Sequence, residues 1–220
     1  MRRWKMFVIG LGVALVPLYV LGDPPVYSAK EIRGQVVDSQ TGKGLEDVVV
    51  LAEWKPYHIG IGHGSTGAPM KSVEVVTDVN GRYVIPAWGP RPRPPLSYLN
   101  GLDPQIRFFK GGFYPQAQSN NPTSYEGRDR SLVRKSDWDG KVIKLVPFNG
   151  TDWEEYTWKI SSSWNFGSDC LRDCPRMVLA LEAESKRVDR LAPKDRIKWS
   201  GISVEDFAEE DRAFFKRLKK

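Results

Sequence analysis

The chain has 220 residues and a mass of 25.0 kDa, with 40% hydrophobic residues, so it is long enough to bury one sizeable core and does not have the composition of a disordered chain. Its 33 basic and 27 acidic residues give a net charge of +6, and the two signs are interspersed. This mild, mixed charge argues against a nucleic-acid-binding protein.

The N-terminal segment has the layout of a secretory signal peptide. Three basic residues lie within the first five positions, an uncharged run continues to Gly22, and Asp23 follows. We expect cleavage after Gly22; the alternative is an uncleaved anchor, because the run lies at the lower limit for spanning a bilayer. Either way the domain is expected to be periplasmic or secreted, with membrane contact only through residues 1–22 if they are retained. Residues 23–30 are predicted to be a linker.

Strand and turn signals follow over residues 31–148. The sequence IRGQVVD predicts a strand that ends at a Gly-rich turn, and LEDVVVLAEW predicts the next. In this second strand, alternate residues from Val48 to Trp54 make one apolar face, and Val49 and Leu51 make the other face apolar too. We therefore expect a central strand that is covered on both sides.

Further strands are predicted in SVEVV, RYVIPAW, QIRFF and GKVIKLVPF. Asp78, Asn80 and Gly81 suit a type I turn, so the first two of these strands are expected to form a hairpin. The proline-rich segment 89–95 cannot donate enough backbone N–H groups for a central strand and is expected to be an extended loop. The polar residues 116–139 are expected to form a long surface excursion.

Helical patterns appear beyond residue 149. Pro175 suits a first helical turn, and apolar residues recur at helical spacing from Met177 to Leu191. Ser203, with an acid three residues later, resembles a capping box for a second helix that has acids first and bases last. We expect a C-terminal extension of about two α-helices over residues 149–220.

The strand blocks resemble the carboxypeptidase regulatory-like domain family, in its bacterial exported single-domain version. That family has a first strand with Gly, Val and Asp, a Thr-Gly turn before a run of valines, a Thr-Asp-x-x-Gly-Arg-aromatic segment, and a strand ending near Lys-x-Gly-aromatic. The matching residues here are Gly34, Val36, Asp38, Thr41, Gly42, Leu45, Val48, Val50, Thr77, Asp78, Gly81, Arg82, Tyr83, Ile85, Lys110, Gly112 and Tyr114.

The resemblance covers residues 31–148 and implies a mainly β protein. Its expected fold is a seven-stranded, antiparallel, transthyretin-like Greek-key β-sandwich, usually exported and usually non-catalytic. The matching positions are core and turn positions, so they indicate a fold and assign no functional residue.

The Gly-rich segment that contains both histidines does not suit a catalytic site. Ser65 lies close to His63, but a nucleophile elbow requires Gly-x-Ser-x-Gly between a strand and a helix, and here a strand follows. We therefore expect no enzymatic activity and no cofactor. His58 and His63 are instead candidates for an interaction loop, because loops at the end of a domain can carry binding.

Cys170 and Cys174 are the two cysteines of the chain, and an oxidising compartment favours a disulfide between them. The alternatives are free or intermolecular thiols, or a zinc site formed with His58 and His63, because both spacings fall within those of zinc sites.

Four aromatic residues after the strands, Trp153, Tyr156, Trp158 and Trp164, lie among carboxylates and are candidates for stacking on sugars. The alternative is that these rings pack the helices onto the sandwich. The predicted function is a non-catalytic binding or scaffolding protein for an unknown envelope protein or polysaccharide. A carbohydrate-binding accessory protein is the alternative, and a metal-binding protein is a further one.

Overall fold

The computed structural model describes residues 22–58, 65–121, 130–163, 172–193, 201 and 203–218. Within these residues the protein is mainly β, with several sheets and three α-helices. The strands are β1 Val26–Ala29, β2 Ile32–Asp38, β3 Val49–Trp54, β4 Pro56–His58, β5 Ser65–Thr66, β6 Lys71–Val76, β7 Arg82–Ile85, β8 Trp88–Pro92, β9 Ser97–Leu99, β10 Gln105–Phe109, β11 Gln116–Gln118, β12 Val133–Arg134 and β13 Lys141–Leu145. The helices are α1 Trp153–Ser163, α2 Pro175–Leu191, a 3₁₀ helix Val204–Asp206 and α3 Glu209–Leu218.

The described strands form four sheets. We name them the inner sheet (β11–β10–β3–β6), the outer sheet (β13–β2–β7), the lateral sheet (β12–β1–β8) and the end sheet (β5–β4–β9). The predicted count of seven strands is therefore too low, although the inner and outer sheets together contain seven. Two strand pairs, β1–β12 and β2–β13, are parallel, which corrects the expectation of a purely antiparallel arrangement.

Strand β3 is buried at every position, as the two-sided apolar pattern predicted. One face, which includes Val50 and Trp54, lies in a core shared by the inner and outer sheets. The other face, Val49 and Leu51, lies in a second core formed with α1 and α2. The order of layers is therefore outer sheet, inner sheet, helices.

The extension contains one α-helix more than predicted, and the additional helix is α1, in the aromatic segment. Its β-branched, aromatic and serine residues have low helix propensity. The helix starts where the Asp152 carboxylate accepts a hydrogen bond from the Glu155 backbone N–H at 2.8 Å, which satisfies one free donor of the first turn. Helix α2 begins at Pro175, as predicted, and Ser203 accepts a hydrogen bond from the Glu205 N–H at the start of the 3₁₀ helix.

Two carboxylates, one partly buried and one buried, attach the helices to the inner sheet. Glu74 on β6 accepts hydrogen bonds from the backbone N–H groups of Arg176 and Met177 at 3.0 and 2.6 Å, so a strand residue caps α2. Burial raises the pKa of the Glu74 carboxyl, while those two N–H groups oppose the rise.

The second carboxylate is Glu184 of α2. It accepts a hydrogen bond from the Tyr156 hydroxyl at 2.5 Å and pairs with Arg187 at 2.6 Å. The Gly112 backbone N–H, in the turn after β10, donates to the Tyr156 oxygen at 3.1 Å, so this network joins both helices to the sheet.

Residues 23–30, expected to be a linker, contain β1 instead, and Tyr27 and Ala29 are buried in the first core. The proline-rich segment contributes β8, which among the described strands pairs only with β1 and so lies at a sheet edge, where prolines are tolerated. The turn at Asp78 forms as predicted, but β6 and β7 are not a hairpin. They lie in the inner and outer sheets respectively, so the turn joins the two sheets.

No helix in the described part of the chain is long and apolar enough to cross a membrane. The predicted signal or anchor segment falls in residues 1–21, which lie outside the described residues.

Replacing Leu51 by Ala is expected to lower the free energy of unfolding by about 2–5 kcal/mol, because it opens a cavity where β3 meets the helices. The matched control is Leu191→Ala in α2, where the side chain is 59% exposed and the expected change is within about 0.5 kcal/mol. Urea unfolding of both variants measures the difference. Equal effects would show that this face of β3 is not covered.

Candidate functional site

One end of the domain gathers several features that the sequence placed far apart. Strand β3 runs from the turn at Asp78 to the end sheet, so these two features lie at opposite ends of β3. We use the name loop end for the end that contains the end sheet together with the described residues 91–103 and 130–135.

The loop end is fastened to the start of the described chain. Arg93 donates from its backbone N–H to the Pro25 carbonyl at 2.9 Å, and its guanidinium lies 3.8 Å from the buried Asp23 carboxylate. The Leu99 N–H donates to the buried Tyr27 hydroxyl at 3.3 Å. These contacts hold β9 and the segment before it against residues that directly follow the predicted signal or anchor.

A second buried group of charges lies beneath the same surface. Asp103 is buried and accepts hydrogen bonds from the backbone N–H groups of Lys55 at 3.3 Å and Asn100 at 3.1 Å. The guanidinium of Arg134 is also buried and donates to the Asn100 carbonyl. Arg134 thereby ties β12 to the 97–103 segment.

Burial raises the pKa of the Asp103 carboxyl to about 7 from an ordinary 3.8, although the two N–H donors and Arg134 oppose the rise. A carboxyl with such a pKa changes its charge near neutral pH, which is a property found at functional sites and also at structural ion clusters. Here each of its hydrogen-bond partners is protein backbone, so its first effect is on the stability of the loop end.

The outward side of the loop end is apolar and basic. Its exposed apolar side chains are Leu96, Leu102, Leu132 and Val133. The backbone of Leu96 has a φ of 52°, in the left-handed region that non-glycine residues rarely adopt. Arg91 and Arg130 are exposed on the same end, whereas the acids Asp23 and Asp103 are buried. The surface therefore presents leucines and cations.

Of the two predicted loop histidines, His58 lies in β4 of the end sheet, paired with Ser65 and Ser97. It is half-buried, and a Cβ at position 67 would lie 2.5 Å from its Nε2 atom, so its ring rests on Gly67. Gly67 thus allows the His58 ring to pack closely against the backbone of this Gly-rich segment. His63 lies outside the described residues, and the role of the pair in binding stays a prediction.

Cys174 is buried in the second core and is not a free thiol. Cys170 lies outside the described residues, so the bridge between them stays a prediction. The zinc alternative required these cysteines near the histidines, but His58 lies in the end sheet and Cys174 among the helices. Among the described residues, no group of three His, Cys, Asp or Glu side chains could hold a metal ion.

Three of the four candidate sugar-stacking residues are described. Trp153 and Tyr156 are buried in the second core, and Phe148 stacks on Tyr156 at 4.1 Å between ring centroids. Their rings pack the helices onto the sheet and offer no face to a ligand. Trp158 is 65% exposed on α1. Trp164 lies outside the described residues.

Comparison with known proteins identifies no family. No protein-family profile and no curated protein sequence matches the chain. Among solved structures, it is similar to a streptococcal ancillary pilin, with 14% identity, 57% of this chain and 30% of the pilin covered, and a TM-score of 0.26.

Two dioxygenases are similar at the same level. The catechol 1,2-dioxygenase of Acinetobacter radioresistens has 17% identity, with 56% of this chain and 52% of the enzyme covered and a TM-score of 0.29. The 3-chlorocatechol 1,2-dioxygenase of Rhodococcus opacus has 17% identity, with 55% and 59% covered and a TM-score of 0.31. The chain spans less than two thirds of the length of each of these structures, and similarity at this level supports no conclusion about activity.

The sequence did not point to the buried charges of the loop end. Arg134 falls in a polar stretch that resembles any solvated surface, and Asp103 precedes a proline in what resembles an ordinary turn. Arg134 is buried where β12 pairs with β1, more than a hundred residues away, and Asp103 is buried where its carboxylate meets the backbone of Lys55 and Asn100.

We expect the stability of the wild-type protein to fall as pH rises from about 4 to about 7 through the titration of Asp103, on the order of a few kcal/mol. The folded state binds the Asp103 proton more tightly than the unfolded chain does. The stability that this proton contributes is therefore fully present below the pKa of Asp103 in the unfolded chain and is lost above its pKa in the folded protein. Asp103→Asn is expected to remove this part of the pH dependence. Urea unfolding at several pH values measures it.

Asp137→Asn is the matched control, because Asp137 is exposed and also accepts a backbone N–H, from Asn121. It is expected to keep the wild-type pH dependence. If Asp103→Asn shows the same pH dependence as wild type, the raised pKa is wrong.

Proposed function

We propose that the protein is a non-catalytic, exported binding or scaffolding module of the cell envelope whose binding surface is the loop end. The observation that carries this proposal is the combination, at one end, of a largely buried ion pair and buried hydrogen bonds with exposed leucines and arginines. Buried charges are costly unless they are paired, and here they hold long surface segments in one fixed arrangement.

The strained backbone of Leu96 supports the same surface. A non-glycine residue in the left-handed region costs free energy, roughly 1 kcal/mol or more, and persists where the surroundings fix it. Here the Arg93 guanidinium donates to the Ser97 carbonyl at 2.7 Å and the Ser97 hydroxyl donates to the Pro94 carbonyl at 2.7 Å, so both sides of Leu96 are held. The Leu96 side chain is 51% exposed and belongs to none of the hydrophobic cores of the described residues.

The fold we propose beneath this surface is a transthyretin-like β-sandwich of the carboxypeptidase regulatory-like type. Support comes from the shared core of the inner and outer sheets, in which the rings of Tyr83 and Phe108 meet at 5.7 Å between centroids. Both are in strands that carried the family resemblance. Export is proposed from the layout of residues 1–22.

Trp158 supports the second candidate function, carbohydrate binding. A tryptophan that is 65% exposed is unusual, and Glu154 and Glu155 are exposed on the same helix. If α1 binds glycans, titration with envelope polysaccharide is expected to change tryptophan fluorescence in a saturable way, and Trp158→Ala is expected to abolish the change. A response that survives Trp158→Ala would place binding elsewhere.

The leading proposal is tested by site-specific photo-crosslinking in the native envelope. A photoreactive residue in place of Leu102, at the loop end, is expected to form a covalent product with another envelope component. The matched control is Val79, which is 68% exposed in the turn at the opposite end of β3 and is expected to form none.

Two results would contradict the proposal. One is a product from Val79 and none from Leu102. The other is hydrolysis of peptides or esters by the purified chain that is lost in Ser65→Ala or His63→Ala, since this would make the protein an enzyme.

A further inference from the structure

The fold begins immediately after the apolar N-terminal run. Gly22, the last residue of that run, is exposed, but Asp23 and Pro24 are already buried and β1 starts at Val26. The 23–30 segment therefore provides no spacer. An extended chain gains at most about 3.5 Å per residue, so an anchor that ends at Gly22 would hold the loop end within about 10 Å of the bilayer surface.

The side chains around this exit point suit a lipid surface. A Cβ at position 22 would lie 3.3 Å from the guanidinium carbon of Arg130, so this arginine stands beside the chain where it enters the domain. Leu132 follows it and is 52% exposed, and its carbonyl accepts the Ser28 N–H of β1 at 3.0 Å. Leu96, 51% exposed, lies three residues after Arg93, which pairs with Asp23.

Among the described residues of the loop end, the exposed charges are basic. Arg91 and Arg130 are exposed, and Arg91 also donates to the Met70 carbonyl at 2.7 Å, while the acid nearest the exit, Asp23, is buried 3.8 Å from Arg93. Cations next to apolar side chains at a membrane surface bind anionic head groups while the apolar groups enter the interface.

We propose that residues 1–22 are retained as an anchor, the alternative to the cleavage expected from the sequence, and that the loop end lies on an anionic bilayer surface, with Leu96 and Leu132 in the interfacial layer and Arg91 and Arg130 at lipid phosphates. This inference rests on the proposed export and names the occupant of the proposed binding surface. It also gives a reason for the strained backbone of Leu96, which holds a leucine outward on the side from which the anchor leaves.

An acidic protein partner is the competing occupant, because it too would suit leucines and arginines. The exit of the apolar run at this surface favours the bilayer, since a protein partner would have to occupy the space between the domain and the membrane.

Hydrogen–deuterium exchange of the full chain, read by mass spectrometry, tests the proposal. The chain is compared in detergent, in nanodiscs of phosphatidylcholine, and in nanodiscs with about a quarter phosphatidylglycerol. Peptides that contain Leu96 and Leu132 are expected to exchange about threefold more slowly in the anionic discs than in detergent, with a smaller effect in neutral discs. The peptide of the Asp78 turn is expected to exchange equally in all three.

Leu96→Gly combined with Leu132→Ser is expected to abolish the protection. Glycine accepts the φ of 52° without strain, so the fold is retained while the apolar side chain is lost. Val79→Ser, at the opposite end, is the control and is expected to leave the protection unchanged.

Equal exchange of the loop-end peptides in detergent and anionic discs would overturn the proposal. Recovery of the protein as a chain that begins at Asp23 and is not bound to membrane would also overturn the proposal. If such a chain still forms the Leu102 crosslink to a protein, the proposed binding function stands and the lipid inference fails; if it instead hydrolyses peptides or esters, the proposed function fails.

Discussion

The structure depends on one constraint, which is that strand β3 is apolar on both faces and must be covered on both. A sheet of this kind is unstable with one face in water, because each exposed leucine or valine loses roughly 1.5–3 kcal/mol of burial free energy. The outer sheet covers one face of β3, and α1 and α2 cover the other. The helical extension is therefore part of the fold rather than an appendage.

The polar groups follow from this arrangement of layers. Where the helices meet the inner sheet, Glu74 is partly buried and Glu184 is buried, and each accepts hydrogen bonds from a different element. These contacts fix the position of α2 in a way that apolar packing alone does not. With both faces of the inner sheet covered, the ends of the sheets carry the surface loops, and one of these ends holds the buried Asp103 and Arg134.

Local patterns in the sequence were sufficient to predict much of this fold. The alternation in β3 predicted its burial on both faces, and Pro175 predicted the start of α2. What the sequence could not supply was pairing between distant segments. Strand β1 is four residues long and becomes a strand because β8 and β12 flank it.

The same limitation hid the candidate site. Residues 23–30 resemble a linker unless their pairing partners are known, and a linker would have separated the anchor from the domain. The burial of Asp103 likewise depends on the positions of Lys55 and Asn100, which a local pattern does not contain. The residue type made His58 a candidate, but no sequence pattern indicated its contact with Gly67.

The central claim, that the inner and outer sheets and the helices are one cooperative unit built around β3, is tested most directly by urea unfolding with two probes. Circular dichroism follows the helices, and amide exchange follows the backbone of β3. The account predicts coincident transitions, because loss of α1 and α2 would expose Val49 and Leu51. Loss of the helical signal at lower urea, with the β3 amides still protected, would contradict it.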